Sequence, residues 1–126
     1  MVLSRCDVRA AVVLALAAVA TGAGCTSETP AQSCPNDLPS GCPATPPSYA
    51  HDVAPVIERR CYPCHGPGGA QSALHDFSRY DVVHTQRRTV LNEVYACVMP
   101  PRDAAAPTSD ERKTLLTWLT CGAPDN

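Results

Sequence analysis

The chain has 126 residues, a formal net charge of −2 at pH 7, eight cysteines and thirteen prolines. That length allows one small domain and no second core. The charge is close to balanced and no basic stripe carries interleaved aromatic residues, which excludes nucleic acid as a partner.

Arg5 and Arg9 lead into an alanine-rich apolar run over 10–20, followed by small residues and Cys25. The run is too short and too weakly apolar for a spanning helix, and it has the layout of an export signal. It resembles the bacterial lipoprotein signal, which implies cleavage after residue 24 and a lipid on Cys25. Gly22 departs from that pattern, where leucine is usual, so an ordinary secretory signal is the alternative. Either reading places the chain outside the cytoplasm. The lipoprotein reading anchors it to a bacterial membrane, facing the periplasm or the cell exterior. Residues 25–47, rich in Pro, Ser and Thr and poor in large apolar side chains, read as a tether. The folded domain is then 48–126, small enough to need a staple, a metal or a cofactor.

An oxidising compartment favours disulfides. With Cys6 in the signal and Cys25 as the anchor, Cys34 and Cys42 are expected to form a local bridge. Cys97 and Cys121 are expected to form a second. Cys61 and Cys64 are then left for other chemistry.

Within the domain, Val53, Val56, Ile57 and Cys61 fall on one helical face, so Ser48 to Cys61 reads as a helix starting near Asp52, with Pro55 in its first turn. "GPGG" at 66–69 is loop, and 79–84 carries at most a short helical turn. From Gln86 to Val98, the residues Val90, Leu91, Val94, Tyr95 and Val98 form a second stripe. The prolines of "MPPRDAAAP" end it. Thr108 and Glu111 have capping-box spacing, and Leu115, Leu116, Trp118 and Leu119 carry a last helix to Gly122. Trp118 reads as core. The pairs Arg59-Arg60 and Arg87-Arg88 read as solvated faces, and His51, His75 and His84 as surface residues. No segment alternates long enough for a strand. The fold class is all-α, about three helices with long loops that need something inside to organise them.

Cys61-Tyr62-Pro63-Cys64-His65 is the C-x-x-C-H pattern of c-type haem attachment. Two thiols at this spacing reach the two vinyl groups of one porphyrin edge, and the adjacent imidazole reaches the iron. Zinc would need a second Cys/His pair at comparable spacing. A thioredoxin-like pair would follow a strand, and a Cys61–Cys64 bridge would be strained.

With "CYPCHG", the later "MPP" and the closing "LLTWL", residues 48–121 resemble the small class I cytochromes c. The resemblance implies a few helices around one covalent haem c, with crossing first and last helices. His65 is then the proximal ligand and Met99, the sole methionine after removal of 1–24, the distal one. His75 or His84 is the alternative distal ligand. The stretch from His65 to Met99 is short for the family, which implies a trimmed loop. The implied activity is single-electron transfer by a monomeric, membrane-tethered carrier that is not itself an enzyme. Its partners are redox proteins of an electron-transport chain. A haem subunit of a membrane oxidoreductase complex and a haem-based small-ligand sensor are the alternatives.

Overall fold

The structure, a computed structural model, describes residues 34–126. The signal expected at 1–24 and the lipid-anchor cysteine Cys25 lie outside the described residues. Among the described residues the chain is helical and contains no strand, as the absence of alternating patterns requires. None of the helices among the described residues is long and apolar enough to cross a membrane.

The first helical segment begins as a wide π turn, Tyr49–Val53, and continues as α1, Ala54–Arg60. Ala54 N–H donates to the Tyr49 carbonyl, five residues back. This widening falls directly before Pro55, which has no N–H to give to either helical register. The expected cap at Asp52 is corrected. Ser48 is the N-cap, with its hydroxyl accepting from His51 N–H, and the Asp52 carboxylate accepts in return from Ser48 N–H at 2.7 Å. Val53, Val56 and Ile57 are buried, as their spacing predicts.

One further turn, α2 (Tyr62–His65), holds the C-x-x-C-H residues. The single helix expected from Gln86 is preceded by a short partner: α3 is Tyr80–Thr85 and α4 is Arg87–Tyr95. Val90 and Val94 are buried, whereas Val98 lies past the helix end and is exposed. Cys97, at φ 54°, turns the chain out of the helical path.

The last helix, α5 (Ser109–Thr120), has the full capping box. Thr108 Oγ1 accepts from Glu111 N–H, and the Glu111 carboxylate accepts from Thr108 N–H. It ends at Gly122, whose φ of 86° suits a residue without a side chain.

Leu116 and Trp118 of α5 are fully buried. The Trp118 ring stacks on Tyr49 at 5.5 Å between centroids, and its Nε1–H donates to the Pro124 carbonyl. Tyr49 in turn meets the edge of Tyr80, whose hydroxyl donates to the Ala123 carbonyl. These rings join the first helical segment, α3 and the end of α5 into one core, with the polar tips of Trp118 and Tyr80 satisfied.

The disulfide pairing differs from the expected one. Cys34 bonds Cys97, and Cys42 bonds Cys121. Residues 34–47, expected to belong to a free tether, are therefore fastened to the domain at two points. Spacing along the chain favours the local pairs, but the strap runs back over α4 and α5, where cysteines remote in sequence become neighbours. Arg112, buried at 8 % exposure, makes the same connection by charge. Its guanidinium donates to both Asp37 carboxylate oxygens at 2.7 and 2.9 Å and to the carbonyls of Val94 and Tyr95 at the end of α4. That pairing holds the Asp37 carboxyl below its ordinary pKa. The Tyr95 hydroxyl adds a bond to the Asn36 side chain.

Each bridge closes a long loop and removes about 4 kcal/mol of unfolded-chain freedom by the chain-entropy estimate, although interleaved loops do not add in full. Replacing both members of the second bridge (Cys42→Ala with Cys121→Ala) is expected to lower the unfolding free energy by about 2–4 kcal/mol in urea titrations.

Candidate functional site

Cys61 closes α1, donating its N–H to the Ile57 carbonyl. Its own carbonyl accepts from Cys64 and His65. The C-x-x-C-H run is thus a turn nucleated by the preceding helix. Two long-range bonds fix its exit: Gln71 N–H donates to the Cys64 carbonyl and Phe77 N–H to the His65 carbonyl, both at 2.8 Å. The loop between them folds tightly against the turn. A side chain at position 69 would put its Cβ 2.3 Å from the Cys64 carbonyl oxygen, so only glycine fits there.

The two thiols differ. Cys64 is exposed, while Cys61 is partly covered, and burial pushes its pKa up to about 11. Neither enters a disulfide, in line with the sequence expectation.

The His65 ring stacks on Phe77 at 4.7 Å between centroids and 13° between planes. Burial, and then the charge of neighbouring His75, lowers its pKa, so the imidazole is neutral at pH 7 and available as a donor. Its Nδ1 is buried without a hydrogen-bond partner. An orphaned buried nitrogen costs about 1–3 kcal/mol.

Cys61, Cys64, His65 and Met99 all line one cavity of about 690 Å³. That volume falls in the range of roughly 300–1,000 Å³ that encloses a cofactor-sized molecule. Its remaining wall comes largely from the buried or flanking apolar residues of α1, α4 and the 99–107 loop. Met99 reaches it from a turn in which Val98 and Met99 both donate N–H to the Glu93 carbonyl. The cavity thus gathers two free thiols, a neutral imidazole and a thioether against an apolar wall. Such a set can anchor a flat apolar cofactor covalently and offer nitrogen and sulfur donors to a metal at its centre. Among the described residues no three His, Cys, Asp or Glu side chains converge in the manner of a closed metal site.

His75, read from the sequence as a surface residue, also lines the cavity, with Nδ1 2.6 Å from the Gln86 side-chain oxygen. His84 stacks on Tyr80 away from it, and His51 is exposed. Phe77 escaped sequence reasoning because it lies in a stretch without periodicity, and His75 entered it only as an alternative to Met99. The only signal was the loss of pattern itself. Arg59 and Arg60, read as solvated, both pair with Glu111, at 3.1 and 2.9 Å. Their position on the cavity rim ties α1 to the start of α5.

No protein-family model, curated protein or solved structure matches this chain.

Thr108 N–H, then Arg60 and Arg59, bring the Glu111 pKa down from 4.5 to about 2. A carboxylate more acidic in the folded chain than in the unfolded one stabilises above its unfolded pKa, and that contribution is lost on acidification. Unfolding midpoints should therefore fall as pH drops from about 4.5 to about 2. Glu111→Gln is expected to flatten that part of the pH profile in denaturant titrations.

Proposed function

We propose that the protein transfers single electrons through one c-type haem held covalently in the cavity beneath Cys61, Cys64 and His65, in a class I cytochrome c-like domain. The observation that carries this reading is the gathering of Cys61, Cys64, His65 and Met99 on a single cavity of about 690 Å³. The residues fit the group. The apolar wall suits a porphyrin, the thiols are unbridged, and the imidazole is neutral with a ring nitrogen lacking a partner.

Cys61 and Cys64, both unbridged, would hold the group through thioethers, each formed by addition of the thiol S–H across one vinyl double bond without an oxidant. His65 would offer a ring nitrogen and Met99 its thioether sulfur to the iron. When bound, the haem supplies one-electron exchange between ferric and ferrous iron. Phe77 fixes the plane of the His65 ring, and the bonds to the Cys64 and His65 carbonyls keep the attachment turn from shifting. Ligands held in this way would need little rearrangement on electron transfer, which suits a carrier or relay. The export signal and Cys25 complete the proposal, placing the carrier on a membrane among redox partners.

A second reading substitutes His75 for Met99, because it lines the same cavity and Gln86 engages only one of its ring nitrogens.

Protein from a host competent in cytochrome maturation should carry the mass of one covalent haem and a reduced-minus-oxidised c-type spectrum. Bare polypeptide mass from that host defeats the reading. Met99→Ala should abolish the far-red sulfur-to-iron band and lower the reduction potential; if both are unchanged, His75 is the ligand.

A further inference from the structure

Met99 sits in a poorly self-supported loop. Val98 is 55 % exposed and Met99 39 %, so neither is anchored by burial. Between α4 and α5 the backbone's own bonds gather in the turn at 96–99: Ala96 to Asn92, Cys97 to Val94, and Val98 and Met99 to Glu93; beyond Met99 the one such bond is Ala104 to Pro101. The turn depends on Cys97 at φ 54°, a conformation that a residue with a side chain holds only where its surroundings impose it. Those surroundings come from the other end of the domain. Cys97 is bonded to Cys34, and the Arg112 guanidinium lies 3.8 Å from Cys34 Sγ while pairing with Asp37 and the last carbonyls of α4.

We propose that the strap from Cys34 to Asp37 is a brace for the distal side of the site. The Cys34–Cys97 bridge and the Asp37–Arg112 pair act as positioning residues that keep Met99 at the cavity. The proposal rests on the haem reading above. It assigns the strap a task separate from general stability, because the bridge enters the chain two residues before Met99. The other bridge, Cys42–Cys121, joins the strap to the chain just beyond α5, on the far side of that helix from the Met99 loop in sequence. The brace also accounts for a short distal loop: a ligand segment without its own packing is held by cross-linking.

The test compares wild-type holoprotein with two double variants made in the same maturation-competent host, Cys34→Ala with Cys97→Ala and Cys42→Ala with Cys121→Ala. The first is expected to keep its covalent haem but lose most of the far-red sulfur-to-iron band. Its ferrous form should bind carbon monoxide at least tenfold faster at neutral pH. Amide exchange at Val98 and Met99 should quicken at least tenfold. The second should keep the band and wild-type exchange at those two amides, despite lower stability. An unchanged band, carbon monoxide rate and exchange in the first variant overturns the brace. If that variant does not accumulate, Asp37→Asn, with both bridges intact, takes its place. At least twofold faster exchange at Val98 and Met99 with a weaker band supports the brace, and wild-type behaviour overturns it. Wild-type protein that carries haem but no sulfur-to-iron band instead overturns the ligand assignment, and the brace's purpose with it.

Discussion

The guanidinium of Arg112 meets the strap, the end of α4 and the body of α5 at one point. A charge buried to this degree is tolerable only when paired and hydrogen-bonded on every side. Asp37 supplies the charge, and the carbonyls of Val94 and Tyr95 at the end of α4 supply further acceptors. Removing the strap would leave the cation without its carboxylate partner. The loop that begins at Ala96 therefore departs from a helix end whose position is set by residues more than fifty places earlier in the chain.

The rest of the domain divides its work around that junction. On one side, the Tyr49, Trp118 and Tyr80 rings make a compact core from few aromatic residues. On the other, the interior is left open as a cavity walled by α1, α4 and the proline loop. A chain of this size buries a smaller share of its surface than a larger domain does. The ion pairs from Arg59 and Arg60 to Glu111 hold the rim together without filling the space behind it. In the proposed holoprotein the haem takes up that volume, and the cavity becomes an interior shared between polypeptide and cofactor.

Local features were legible in the sequence. The apolar faces of α1, α4 and α5, the Thr108 capping box, the Gly122 stop and the core position of Trp118 all follow from patterns within a dozen residues. Cys61, Cys64, His65 and Met99 could be chosen because their residue types and order carry chemistry, and they line a common cavity. What depends on three-dimensional return of the chain was not legible. The disulfide partners, the pairing of Asp37 with Arg112 and the place of His75 in the cavity wall join residues with no periodic relation. Composition misled at 34–47. Proline and serine mark a segment without its own core, but the segment is held by the core of its neighbours. Val98 continued the helical stripe on paper, and only the left-handed turn at Cys97 removed it.

The interleaving of the two bridges has a consequence for how the chain is made. Synthesis runs from the N-terminus, so Cys34 and Cys42 emerge well before their mates, each other's nearest thiols and both wrong partners. Cys61 and Cys64 follow, and neither enters a bridge. The correct mates, Cys97 and Cys121, arrive only with the final third of the polypeptide. A molecule built in this order must either postpone oxidation until its last helix exists or repair an early mistake by exchange, so its biogenesis is governed as much by timing as by affinity.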